Sequence, residues 1–210
     1  MLEVSFYFYY GCPWTFLAST RLTEVAMRTS ARIAWKPILL DLVAQAAGSP
    51  GHAPQHPARA RYAAKDLGDW AEFCGVRIRH PGPFPRPATW ALRGAVIALE
   101  DGRIAAYSEH VFQGCFGGMA DIDSLDVVSN QAAAAGLDAA AFRRRVQEPR
   151  TREVIEGNSR ELVARGGFGS PTLFVGDDMY FGNDRMPLVE LALTRRGERP
   201  LIVPGAHGQQ

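Results

Sequence analysis

The chain is poor in cysteine and carries no excess of charge of either sign. Three cysteines occur in 210 residues (Cys12, Cys74 and Cys115), at spacings that build neither a disulfide framework nor a zinc-ligand set. A reducing cytoplasm is therefore the expected setting, and no metal is expected. The 23 Lys and Arg against 22 Asp and Glu leave a net charge of +1. That is not the basic excess needed to neutralise phosphates, so a nucleic-acid partner is not expected. No apolar run approaches the roughly 18 residues of a membrane span. Nor does a basic stretch followed by an apolar core precede the first strand-like segment, so neither a membrane partner nor a leader is expected. Internal repeats and low-complexity tracts are missing too. What remains is a chain that is 47% hydrophobic and long enough to bury a sizeable core, the mark of a globular enzyme or binding protein.

Leu2, Val4, Phe6 and Phe8 alternate with Glu3, Ser5, Tyr7 and Tyr9, the period of a strand. Gly11-Cys12-Pro13 interrupts it, and Pro13 suits the first turn of a helix, where its missing N–H is not needed. Apolar residues at helical spacing predict a helix over residues 14 to about 28, and residues 32 to 40 return to strand character. This β-α-β opening predicts parallel strands joined by a right-handed crossover. Two Gly/Pro loops, residues 48–57 and 80–87, flank a helix that contains Tyr62, Leu67, Trp70, Ala71 and Cys74 and is stopped by Gly75. Further helices are expected over 88–100, 103–116, 122–135, 138–147 and 149–165, with Asp123 and Asp138 as caps and Gly136 as a stop. A hairpin follows, 171–175 and 179–181 about Gly176-Asp177-Asp178, then a helix over 184–195 and a flexible tail from 197. The order βαβ…ββα is that of an α/β thioredoxin-like fold with a large all-helical insertion. Residues 1–45 and 167–196 would form the thioredoxin-like domain, and 46–166 the insertion.

Three places could carry chemistry. Cys12 lies at the start of the first helix, where unpaired N–H groups and the helix dipole favour an anion and lower a thiol pKa. The motif Cys12-Pro13-Trp14-Thr15 holds no second cysteine, so it cannot cycle through an internal disulfide; the plainer use of Cys12 is as a small buried side chain. Ser170-Pro171 opens the hairpin, where proline marks a strand start or a bend. Asn183 or Asp184 would cap the last helix, while a ligand ammonium on Asp184 is compatible with the same position.

The segments FYFYYGCPWTFLA, WKPILL, HPARARYAAKDLGDWAEFCGV, AGLDAAAF and RGGFGSPTLFVGDDMYFGNDR span residues 3 to 194. Together they resemble the 2-hydroxychromene-2-carboxylate isomerases, relatives of the kappa-class glutathione transferases and, further off, of DsbA-like oxidoreductases. The last segment is the most specific. The resemblance implies a cis Pro171 beside Cys12, and a homodimeric, glutathione-dependent isomerase acting on an aromatic 2-oxo acid or chromene carboxylate. Thiolate addition turns a conjugated double bond into a single bond, which rotates before the thiolate is expelled. Cys12 would be the catalytic position. Ser170, Pro171, Asn183 and Asp184 would bind glutathione, with Arg59 contacting its glycyl carboxylate; a solvated helix face is the competing use of Arg59.

Two departures from the family pattern stand out. Cys12 replaces the usual serine, and a thiol is a weaker donor than a hydroxyl. Gln45 and Ser49 stand where relatives carry lysine and asparagine. Trp14, Gln45, Phe84 and Trp90 are candidates for the substrate pocket, with core packing as the alternative for the aromatic ones and for Phe116. His52 and His56 are four apart but sit in a Gly/Pro loop, a poor metal site, and His80 and His110 are unaccompanied. The competing functions are a kappa-class-type glutathione transferase, a monothiol DsbA-like thiol-disulfide oxidoreductase using Cys12, and a binder of thiol peptides without turnover.

Overall fold

In the computed structural model, which describes residues 2–48, 56–79 and 85–195, the alternating opening segment is β1 (Glu3–Phe8). Val4, Phe6 and Phe8 are buried in the larger core cluster on one face, while Tyr7 enters a smaller cluster on the other. α1 (Pro13–Thr29) follows with its proline in the first turn, and β2 (Arg32–Pro37) pairs parallel to β1 from Glu3↔Arg32 to Phe8↔Pro37. The hairpin strands β3 (Thr172–Val175) and β4 (Asp178–Phe181) complete a four-stranded sheet in the order β2-β1-β3-β4. β3 lies antiparallel to β1, and β4 antiparallel to β3. This is the α/β thioredoxin-like architecture, with helices filling the chain between β2 and β3.

The strand expected over residues 32–40 stops at Pro37. Proline offers no N–H to the ladder; the Ile38 amide still bonds Phe8 O, the end of β1, at 3.1 Å, but the Leu39 amide turns away to Ser159 Oγ at 2.8 Å. A short helix, α2 (Leu40–Ala46), begins there, in a segment between the expected strand and the Gly/Pro loop. It carries Val43 into the smaller core cluster. α3 (Pro57–Phe73) and α4 (Thr89–Glu100) lie where the pattern placed them. The helix expected over 103–116 is instead α5 (Ile104–Phe112) running into a π-helical turn, Gln113–Gly117. There Gly118 N–H reaches Gln113 O at 3.0 Å.

The expected cap at Asp123 is also corrected. α6 (Leu125–Ala134) is capped by Ser124, and the Asp123 carboxylate accepts the Thr89 N–H at 2.6 Å, satisfying the start of α4 instead. Asp138 does cap α7 (Ala139–Arg145), and α8 (Pro149–Ala164) lies along the expected segment. The last helix is shorter than expected. A 3₁₀ turn, Asn183–Arg185, precedes α9 (Met186–Thr194), so neither Asn183 nor Asp184 caps it. Residues 49–55, 80–84 and 196–210, which hold His52, His80, Phe84 and the tail, lie outside the described residues.

The larger core runs without a break from the sheet into the helical segment, where Tyr10, Phe16, Phe112 and Phe116 pack ring against ring. α8 covers the other sheet face. There Glu161 accepts from Tyr7 Oη at 2.8 Å and from Lys36 Nζ at 2.6 Å. Among the described residues, no helix is long and apolar enough to cross a membrane.

Burial in these layers makes stability fall with alkali. Burial pushes the Cys115 thiol up to about 11, despite the opposing Arg86 guanidinium beside it, and the Tyr7 phenol up to about 12. A native state that holds its protons more tightly than the unfolded chain loses stability as pH rises from the unfolded to the folded pKa. Cys115 alone should remove about 2 to 3 kcal/mol between pH 9 and 11. Urea unfolding midpoints should therefore drop across that window, and Cys115→Ala should flatten the slope while lowering the neutral-pH value slightly. Equal slopes for the two proteins would contradict the assignment.

Candidate active site

Cys12 is the N-cap residue of α1, its backbone extended (φ −107°, ψ 117°). Three neighbours hold it there: Cys12 N–H bonds Tyr9 O at 3.2 Å, and Cys12 O accepts from the Thr15 and Phe16 amides. Cys12 is 1% exposed, and its thiol donates to the carbonyl oxygen of Ser170 at 3.5 Å. The amino-terminal helix start and the start of β3 thus meet, 158 residues apart in sequence, and the Ser170–Pro171 peptide is cis as the resemblance implied. Ser170 Oγ accepts from Tyr9 N–H at 3.0 Å and shares a hydrogen with Thr15 Oγ1 at 2.8 Å. These contacts tie β1, α1 and β3 into one rigid corner.

The electrostatics differ from the sequence expectation. Burial pushes the Cys12 thiol above its ordinary range; the Thr15 hydroxyl and the amides of Thr15 and Trp14 act in the lowering direction but are outweighed. The helix start is anion-favouring, as its N–H groups require. A sulfur sealed from water nevertheless loses more by desolvation than those donors return. Cys12 is therefore a protonated thiol at neutral pH and a hydrogen-bond donor.

A cleft of about 360 Å³ opens on this corner, lined by Trp14, Ser170, Pro171, Phe181, Gly182, Asn183 and Asp184 and, from α3, by Tyr62, Asp66 and Trp70. Gly182 sits at φ 98°, and a Cβ there would lie 2.7 Å from Asp184 Oδ1, so glycine lets that carboxylate fold back along the cleft. Asp184 also pairs with Arg185 at 2.6 Å and stays half exposed. Asn183 is buried (2% exposed); its carbonyl oxygen accepts from Arg21 at 3.0 Å and its side-chain oxygen from the same nitrogen at 3.4 Å.

Of the expected site residues, Trp14, Ser170, Pro171, Asn183 and Asp184 line the cleft; Cys12 touches Ser170 but is buried and not itself among the lining residues. Arg59 is exposed on α3, one turn before Tyr62 on the same side, and is not among the residues lining this cleft. Gln45 is exposed on α2, and Trp90 packs against the core with Arg93 over its ring at 5.3 Å; neither reaches the cleft. Phe84 lies outside the described residues, and Phe116 is buried in the core. Among the described residues no cluster of three metal-ligating side chains occurs.

The α3 wall was missed. Tyr62 and Trp70 read as the apolar stripe of a packed helix, yet Ala71 is the one residue of α3 among the buried and Tyr62 is 66% exposed. The spacing 62, 66, 70 was the available signal: one face, every fourth residue, with a carboxylate between two aromatics.

The comparisons with known proteins agree with this geometry. Residues 3–194 match the family model of the DSBA-like thioredoxin domain. A 2-hydroxychromene-2-carboxylate isomerase of Pseudomonas putida is 30% identical over 199 residues, covering 91% of this chain and 94% of that protein. A solved 2-hydroxychromene-2-carboxylate isomerase superposes with a TM-score of 0.82 at 27% identity, covering 91% of this chain and 94% of that one. The cytosolic disulfide reductase DsbM of Pseudomonas aeruginosa, solved with GSH, shares the fold at 18% identity and a TM-score of 0.63, covering 91% and 99%. The chain belongs to the DsbA-like thioredoxin-domain family and, within it, to the 2-hydroxychromene-2-carboxylate isomerases, and it is an enzyme of the isomerase type.

Proposed function

We propose that this enzyme uses glutathione as a cofactor to isomerise an aromatic 2-oxo acid or its chromene carboxylate. The observation that carries the reading is the place of the Cys12 thiol: buried at the helix start, it donates to Ser170 O at 3.5 Å, and burial raises its pKa, so it is built to donate a hydrogen bond, not to attack. The cleft fits the tripeptide. At about 360 Å³ it is within the range of small-ligand sites, and the half-exposed Asp184 carboxylate at its edge can accept from an α-ammonium. Ser170 and Pro171 would align the peptide backbone as an added strand, with Asn183 and Asp184 at the γ-glutamyl end and Arg59 reaching the glycyl end. Bound there, glutathione supplies a thiolate that adds reversibly to the conjugated double bond, so that the bond can rotate.

The chain's own part is electrostatic. The Trp14 and Thr15 amides and the Thr15 hydroxyl face the sulfur position at the helix start, where they favour negative charge. The Cys12 S–H can turn from Ser170 O to an adjacent anionic sulfur. Trp14, Tyr62 and Trp70 give the cleft apolar walls that keep water from the reacting bond. The same reading implies a cytoplasmic setting with abundant reduced glutathione, and a homodimer.

The test is stoichiometric. Turnover of an aromatic enone-pyruvate should depend on glutathione with saturation, while the glutathione concentration stays constant through complete conversion. Consumption of one glutathione per product would instead make the enzyme a transferase of the kappa type. The DsbA-like fold keeps a second reading open, a monothiol oxidoreductase on Cys12. It requires reduction of mixed disulfides with no isomerisation.

A further inference from the structure

We infer that Arg21, which lies outside the cleft, is a positioning residue that sets the distance between its two walls; the inference rests on the reading of this cleft as the glutathione site. α3 has one buried residue in seventeen, so apolar burial does little to hold it against the rest of the molecule. What it does have is Arg21 of α1. The guanidinium carbon lies 5.4 Å from the ring centre of Trp70 and 5.3 Å from that of Phe73, both on the last turns of α3. Its NH1 nitrogen donates to both oxygens of Asn183.

Trp70 on α3 and Asn183 in the 3₁₀ turn both line the cleft, and Arg21 touches both. Nearby, at the end of α3, the same guanidinium acts to lower the Cys74 thiol pKa, which burial raises overall. The α1–α3 contact is thus centred on this one cation. Only arginine meets the demand: a flat, delocalised cation can stack on rings while donating in its plane, whereas an ammonium can do one or the other. Phe73 is 71% exposed and packs edge-on against Trp70, ring centres 5.4 Å apart, so the two rings and Arg21 form one cluster. Through Asn183 the clip fixes the 3₁₀ turn that carries Asp184. Through Trp70 it fixes the α3 wall.

The experiment compares the parent chain with Arg21→Lys and Arg21→Met. Glutathione affinity should fall about tenfold in Arg21→Met, the range of a lost cation–π contact plus a charged hydrogen bond. Arg21→Lys should fall between, because it keeps a donor for Asn183. KM for glutathione should rise in step, while kcat at saturating glutathione changes less than about twofold, since Cys12 and its donors are untouched. A readout without ligand or turnover is the emission of Trp70, isolated by subtracting Trp70→Phe versions of each protein; it should shift in Arg21→Met. Unchanged affinity together with unchanged Trp70 emission overturns the role of Arg21. Absence of glutathione binding by the parent chain overturns the function instead, and Trp70 emission still judges the clip. If Arg21→Met fails to fold, Arg21→Lys decides: parent-like affinity and emission would overturn the proposal.

Discussion

Replacing Cys12 by serine should leave glutathione-dependent turnover intact or raise it a few-fold, whereas replacing it by alanine should lower turnover about a hundredfold, the usual effect of deleting one donor to a developing anion. The asymmetry follows from what the thiol does in the structure. Its hydrogen is directed at Ser170 O at 3.5 Å, its sulfur is sealed, and its pKa is raised by that burial. A serine hydroxyl fills nearly the same space, donates more strongly, and is never ionised in this range. It also removes the repulsion that two sulfur anions would suffer if both ionised. Alanine leaves the fold almost untouched but takes away the donor. The oxidoreductase reading forecasts the opposite pairing, because there the sulfur is the nucleophile and serine is as dead as alanine. Steady-state rates at saturating glutathione for the three proteins separate the two, and equal loss in both variants would sink the donor role.

The parts of the fold legible in the sequence were those with local causes. The two-residue period of β1, the proline at the head of α1 and the hairpin turn each act over a few residues and hold in the structure, though the turn is Gly176-Asp177 alone, since Asp178, in β4, already pairs with Val175. Where partners lie far away in sequence, the reading failed. α2 exists because Pro37 ends the ladder and α8 takes the Leu39 amide through Ser159. Asp123 looks like a cap for the helix beside it, but satisfies the amide of Thr89, 34 positions earlier. The site followed the same rule. Cys12, Pro171 and Asp184 stand at element boundaries and announce themselves. The aromatic face of α3 looked like ordinary core spacing, since nothing local reveals that the helix leaves Tyr62 and Phe73 uncovered. The thiol pKa was misjudged for a similar reason: helix position is written in the sequence, and desolvation is not.

The glycine before Cys12 carries the second large effect. A Cβ on Gly11 would lie 2.2 Å from Arg86 O, 2.7 Å from Tyr9 Cε1 and 3.0 Å from Arg86 N. Two of those atoms are backbone, so no flexible side-chain end can swing aside. The Arg86 segment is itself fastened, its carbonyl accepting from Tyr9 Oη at 2.7 Å and its guanidinium bonding Cys115 O at 3.2 Å. Either that segment or the Gly11–Cys12 turn must therefore move, by roughly an ångström. Overpacking of this kind lowers stability by about 2 to 3 kcal/mol. The effect on function should match that on stability, because a shift of Cys12 on that scale carries its donor away from Ser170 and from any sulfur in the cleft, and misplacements of about 1 Å lower rates by about a hundredfold, about 2.7 kcal/mol. Gly68→Ala is the matched control: Gly68 is exposed on α3 and a Cβ there meets nothing within 4 Å. Its only consequence should be the helix preference of alanine, a gain of up to about 1 kcal/mol. Urea unfolding and steady-state kinetics on both variants, at a temperature where each is folded, test the pair. A Gly11→Ala protein as stable and as active as the parent would mean that the Arg86 segment yields freely and does not hold the Cys12 turn in place.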